Sequence, residues 1–237
     1  MSLRALANSL LSSLFEPPCA ACGQVLTHPL DGAVCDPCWA SIAARTALHE
    51  HASGHHAVDW ACAVDHYEGR LRDVIHALKY ERRRSIAKPL GRLMRERGSG
   101  LLRDAGAVVP VPLHPRRQRE RGFNQADDLA RHLGVPVVPL LQRVRFTTSQ
   151  IELPANARHQ NVRDAFALTG NPKGLPPQIR PLRVGGGNPS GLPDIVVLVD
   201  DVSTTGATLE ACARVLKVGG VKEVRALTAA RVVTGRR

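Results

Sequence analysis

The chain has 237 residues and is 43% hydrophobic, enough to build the core of one α/β domain of ordinary size plus a small appended module. No stretch approaches the ~18–20 apolar residues of a membrane span, and at 3% aromatic content the core must be aliphatic and base-stacking platforms are few. The net charge of +11 suits an anionic partner, either a polyphosphate metabolite or a nucleic acid, without separating the two.

MSLRALANSLLSSLF opens the chain with Leu3, Leu6, Leu10, Leu14 and Phe15 on one helical face, while Asn8, Ser9, Ser12 and Ser13 interrupt any signal-peptide core. A short amphipathic helix docked on the protein by that leucine face is expected. With neither a secretory signal nor a span in the sequence, a cytoplasmic location is expected too.

Cys19-x2-Cys22 and Cys35-x2-Cys38 follow, separated by twelve residues. Each CxxC turn presents two sulfurs to one metal, and four thiolates close a tetrahedral zinc shell with no open position, so the ion is expected to be structural. An iron–sulfur cluster is the chief alternative, and disulfides or free thiols are the others. Residues 44–57 contain His49, His51, His55 and His56; a polar connector is expected there, with a second metal site as the alternative.

Trp60 to His66 then reads as a strand, followed by a helix with Leu71, Val74, Ile75 and Leu78 on one face and a second helical segment ending at Gly98 to Gly100. Ala107 to Val111 is a buried-strand candidate running into Pro112, Leu113, His114 and Pro115. A loop crowded with Arg116, Arg117, Arg119 and Arg121 comes next, whose guanidinium forks match phosphate oxygens; a solvated basic face is the plain alternative. Asn124 is the expected N-cap of an amphipathic helix stopped by Gly134, and VPVVPL a short third strand. The polar, basic stretch from Arg143 to Phe166 is a candidate closing loop, and the Gly/Pro-rich stretch 170–194 a flexible excursion.

Ile195 to Thr208, IVVLVDDVSTTGAT, is the densest signal. Ile195 to Val199 suits a strand buried on both faces of a parallel sheet, and Asp200 and Asp201 stand where it would end, which is where ligands collect in open α/β sheets. Val202, Ser203, Thr204, Thr205, Gly206, Ala207 and Thr208 supply hydroxyls, small side chains and backbone N–H groups ahead of a helix, a setting that favours a phosphate dianion. The two carboxylates suit ribose hydroxyls or a magnesium ion. The plain alternative is an Asp-Asp helix cap. A last strand from Arg225 to Val233 precedes a basic tail. Strands alternating with helices predict a mostly parallel, doubly wound α/β sheet.

VVLVDDVSTTGAT resembles the phosphoribosyl diphosphate (PRPP) motif of type I phosphoribosyltransferases. Together with the CxxC pairs, the Tyr67–Tyr80 segment YEGRLRDVIHALKY, VPVPLHPRRQRERGFNQA, and Thr148 to Gln150 with Arg158, Asn161 and Phe166, the chain is similar to the ComF family of competence-associated proteins; the long excursion at 170–194 departs from that family. The resemblance implies a type I phosphoribosyltransferase-like domain at 58–237 with an N-terminal zinc-ribbon module at 1–45. It implies that Asp200 and Asp201 bind ribose and support Mg²⁺ with PRPP, and that Thr204 to Thr208 bind the 5-phosphate. Pro112, Leu113 and His114 would occupy the pyrophosphate loop, with Arg119 and Arg121 meeting the leaving group. It further implies a cytoplasmic role in DNA uptake during natural transformation, on single-stranded DNA and alongside a helicase-like motor or recombination factors. Phosphoribosyl transfer is the expected activity, the acceptor being illegible; a non-catalytic PRPP- or DNA-binding scaffold and a metabolic phosphoribosyltransferase are the alternatives.

Overall fold

The computed structural model describes residues 3–51, 57–145, 165–169 and 190–233. Five strands form the central sheet in the order β1-β2-β7-β6-β3: β1 (Leu48–His51), β2 (Trp60–His66), β7 (Glu223–Arg231), β6 (Ile195–Ser203) and β3 (Ala107–Pro110). All neighbours run parallel except β1, which is an antiparallel edge on β2. The mostly parallel sheet expected from the sequence is therefore present.

Both faces are covered. Val197 and Val199 of β6 point into a cluster with Leu71, Ile75 and Leu78 of α3 (Gly69–Tyr80), Leu90 and Met94 of α4 (Ala87–Arg97) and Leu129 of α7 (Gln125–Ala130). Val196 and Leu198 point the other way, onto Leu209, Cys212 and Leu216 of the helix after β6, here α8 (Ala207–Val218). Continuous aliphatic strands are what a doubly covered parallel sheet requires, because neither face meets water.

The remaining elements are α1 (Leu3–Phe15), α2 (Asp36–Ala43), α5 (Ser99–Leu102), α6 (Pro115–Arg121) and a separate antiparallel pair, β4 (Leu141–Arg143) with β5 (Phe166–Leu168). No described helix is long and apolar enough to cross a membrane.

Several expectations need correction. α1 forms, but its Leu3, Leu6, Leu10, Leu14 and Phe15 face is exposed; the helix docks through buried Asn8, whose Oδ1 accepts from Leu30 N at 2.9 Å, and through Arg4 on Asp31. Half-buried Ala7 and Leu11 lie beside Asn8 on the docked face. The connector 44–57 contains β1, whose His49 and Glu50 suit a solvent-facing edge because charged edge residues discourage further pairing; His55 and His56 lie outside the described residues. The arginine-crowded loop is a helix, α6, because Pro115 opens it, His114 Nδ1 accepts from Arg116 N at 3.2 Å, and Gly122 at φ +80° ends it. VPVVPL contributes one parallel bridge, Val108 to Val137, since Pro136 and Pro139 lack the N–H groups a ladder needs. β6 runs past Val199 to Ser203, pairing Val202 with Ala230 and Ser203 with Arg231. Most of the candidate closing loop (146–164), most of the 170–194 excursion and the tail 234–237 lie outside the described residues.

Candidate functional site

Helix α8 starts where the loop after β6 needs a left-handed residue. Gly206 sits at φ +75°, a conformation that strains any side-chain-bearing residue. Ala207 N donates to Thr205 Oγ1 at 3.4 Å, and Glu210 N to Gly206 O at 2.9 Å, so Thr204, Thr205 and Gly206 form a short, partly exposed turn against the N-terminus of a twelve-residue helix. Ser203 still belongs to the strand, and its carbonyl accepts from Val232 N at 2.8 Å.

The two acids diverge because side chains alternate along a strand. Asp201 shares the face of Val197 and Val199 and meets Lys79 Nζ of α3 at 2.9 Å, both side chains largely buried. Burial opposes the charge on Lys79, but the Asp201 carboxylate beside it holds its pKa above the usual value. Asp200 takes the opposite face, with Cys212 and the guanidinium of Arg143 within electrostatic range. Burial and the Asp201 charge push the Asp200 pKa up to about 7, against the pull of Lys79, of the Asp201 N–H, which donates to Asp200 Oδ1 at 2.8 Å, and of Arg143. Two carboxylates held together at this cost suit a site that takes a hard cation or several hydroxyl donors.

Pro112, Leu113 and His114 lie just past the end of β3, the strand neighbouring β6. Pro112 and Leu113 line a cavity of about 560 Å³ with Asn124 of the α7 cap and Arg143 of β4. Burial and the surrounding charges of Arg143, Arg119, Arg117 and Arg116 hold the His114 pKa low, so this edge is strongly basic. Arg119 is exposed on α6. Arg121, at the end of α6, has its guanidinium 5.2 Å above the Tyr80 ring, and its Nη1 donates to Gln125 Oε1 at 3.2 Å.

Lys79 and Arg143 are functional candidates that the sequence reading missed. Lys79 carried a readable signal: it follows Leu71 and Ile75 at helical spacing, so a cation stood on the apolar stripe of α3 and called for a buried partner. Arg143, 5.3 Å above the Phe166 ring, had no such signal, because only the β4–β5 pairing carries it over the site.

The N-terminal cysteines converge. Their sulfurs all lie within 4.8 Å of one another, with Cys19 to Cys38 at 3.9 Å and Cys22 to Cys35 at 3.8 Å. A tetrahedron with Zn–S bonds of ~2.3 Å has edges of about 3.8 Å, so the donor set fits zinc. Cys19 Sγ accepts from Ala21 N at 3.4 Å and Cys35 N at 3.3 Å, amide donors of the kind that stabilise a thiolate.

Residues 119–237 match the phosphoribosyl transferase domain family. The chain is 32% identical over 172 residues to Competence protein F of Haemophilus influenzae, covering 68% of each. It is 34% identical over 173 residues to DNA utilization protein YhgH of Salmonella typhi, covering 69% of this chain and 68% of that one, and 27% identical over 123 residues to Competence protein ComFC of Streptococcus pneumoniae, covering 52% and 47%. A phosphate-suited turn after a doubly buried strand, an acidic pair at that strand's end and a four-cysteine cluster ahead of the domain thus coincide with similarity over two thirds of the chain, and the chain belongs to the ComF family of phosphoribosyl transferase domain proteins.

Proposed function

We propose that the C-terminal edge of the sheet binds PRPP with Mg²⁺ and transfers its phosphoribosyl group to an acceptor, within a chain organised as a metal-tied module (1–45) and a phosphoribosyltransferase domain (58–237). The observation that supports this best is the β6–turn–α8 unit, with Asp201 ion-paired to Lys79 beneath a Thr-Thr-Gly turn. In this reading Val202 to Thr208 take the 5-phosphate through hydroxyls and backbone N–H groups. Asp200 and Asp201 accept from the ribose hydroxyls and hold the magnesium, whose charge offsets that building on pyrophosphate. Pro112, Leu113 and His114, with Arg119 and Arg121, orient the pyrophosphate. The C1–oxygen bond to pyrophosphate breaks with its electron pair leaving on the pyrophosphate, and a bond from the acceptor to C1 forms; positioning of the two partners supplies much of the rate. The four cysteines hold a structural zinc ion.

Calorimetric titration of the metal-loaded protein with PRPP and Mg²⁺, beside Asp201→Asn, tests the site. Saturable one-to-one binding, weakened at least tenfold in the variant, is expected; absence of binding to the folded wild type sinks the reading.

A second reading, a single-stranded DNA surface used in competence or DNA utilisation in the cytoplasm, is favoured by α4. Cavities of about 370 and 550 Å³ share Arg92 along this helix, one lined by Trp39, His28 and Lys88, the other by Arg95 and Arg103. Lys88, Arg92 and Arg95 form no ion pair among the described residues, and their field shows at His132, whose pKa is lowered by burial and by the charges of Lys88 and Arg92. Acids also line this track (Asp31, Asp36 and Glu96), so the basic side chains must outweigh them. A labelled oligothymidylate should bind with steep salt dependence, and Arg92→Ala/Arg95→Ala should flatten the slope by about 0.7 for each phosphate no longer neutralised. Salt-independent binding, or an unchanged slope, would count against this surface.

A further inference from the structure

Among the described residues the four-cysteine module makes no polar contact with Asp200, Asp201 or the turn after β6, yet it grips both ends of the helix that presents Lys79. At the start of α3, Arg70 Nη1 donates to Cys38 Sγ at 2.8 Å. Just past its end, Arg83 Nη1 donates to the Pro18 carbonyl at 3.1 Å, and Pro18 immediately precedes Cys19. Arg45, the last residue of the module, reaches Glu68 at the N-cap of α3 at 2.6 Å and also pairs with buried Asp65 at the end of β2.

The two grips are not independent. Cys19 and Cys38 belong to one sulfur cluster, their Sγ atoms 3.9 Å apart, so an ion bound there holds the Pro18 and Cys38 anchor points in register. Between them runs a twelve-residue helix, a rod of roughly 18 Å. Lys79 stands one residue from the end of that rod, and its ammonium must reach a buried carboxylate within hydrogen-bond distance. A tilt of α3 large enough to break that contact would leave Asp201 without its cation and with the charge of the neighbouring Asp200 uncompensated.

We infer that the metal-bound module is a clamp on α3: through Arg70 and Arg83 it sets the position of Lys79 against Asp201, so that metal occupancy tunes ligand affinity at the phosphoribosyl edge. This rests on the PRPP reading of that edge and on the cysteine cluster holding a metal. Arg70 and Arg83 are positioning residues: Arg83 also pairs with Glu81 at the C-cap of α3, and both act through α3 rather than on Asp200 or Asp201.

The test uses the full-length, metal-loaded chain carrying Arg70→Met/Arg83→Met, with Arg83→Met alone as the milder variant should the double variant fold poorly. Three quantities are read: metal per chain, PRPP–Mg²⁺ affinity by calorimetry, and the rate of reductive methylation at Lys79 by mass spectrometry. The expected result is unchanged metal content, about tenfold weaker PRPP binding and faster labelling of Lys79, with Lys217, paired to Asp59 away from the site, labelled as in wild type. Arg70→Lys, which keeps a donor toward Cys38, should recover most of the affinity that Arg70→Met loses, an outcome a general packing role would not produce. Wild-type affinity and wild-type Lys79 labelling in a variant that lacks both arginines overturn the clamp while leaving the PRPP site standing. A wild-type protein that binds no PRPP overturns both.

Discussion

Replacing Lys79 by methionine is expected to lower unfolding free energy at pH 8 by about 3 kcal/mol, because it removes one partner of a buried ion pair and leaves the other charge uncompensated. The methionine fills most of the same volume, so lost packing is a small part of the effect. The loss should shrink on acidification: with the ammonium gone, the Asp200–Asp201 pair takes up a proton more readily, and that proton restores part of the missing charge. Urea titrations at pH 8 and pH 6 measure this directly. A deficit of the same size at both values would mean that Lys79 matters for packing rather than charge. PRPP–Mg²⁺ affinity should fall with the same substitution, since Asp201 then relaxes away from the turn that follows it.

Asp200→Asn is expected to move stability the other way. The folded-state pKa of Asp200 stands at about 7, above the ordinary carboxylate value, through burial and the neighbouring Asp201 charge. The folded chain therefore holds this proton more tightly than the unfolded chain does. Stability is full below the unfolded pKa of ~4 and declines as pH rises toward 7, remaining low above it. The amide carries no charge and escapes this cost, so the variant should be more stable than wild type at pH 8 by on the order of 2 kcal/mol, with the gain fading toward pH 5. The same variant should lose most PRPP–Mg²⁺ affinity, as expected where a strained pair is retained for binding rather than for the fold. Paired thermal melts across that pH range, with and without PRPP, decide it; a variant no more stable than wild type at pH 8 would show that Asp200 bears no such cost.

Local patterning explains why so much was readable. The aliphatic run Ile195 to Val199 admits little but a strand covered on both faces, and its alternation divides Val197 and Val199 from Val196 and Leu198 as the two cores require. Two CxxC turns bring their own sulfurs together, so the cysteine cluster follows from spacing. The turn after β6 is likewise local, with Gly206 supplying the left-handed residue. Where the sequence misled, the decisive partner was distant or a short-range cap outweighed composition. Arginine density at Arg116 to Arg121 suggested a loop, but Pro115, His114 and Gly122 close a helix around it. The leucine face of α1 suggested a docking surface, whereas Asn8 and Arg4 found Leu30 and Asp31 instead.

By itself, then, the sequence determined those features that reside in a few consecutive residues: the buried strands, the acidic pair with its phosphate-suited turn, and the paired-cysteine knuckles. Tertiary structure alone decided which groups meet. It sends Asp201 toward Lys79 and Asp200 toward Arg143, lays β4 and β5 over the site, and fastens α3 at both ends to the cysteine module. The reason is physical: hydrogen-bonding turns and side-chain periodicity act over a few residues, whereas an ion pair is made by whichever elements the packed core happens to bring within a few ångströms.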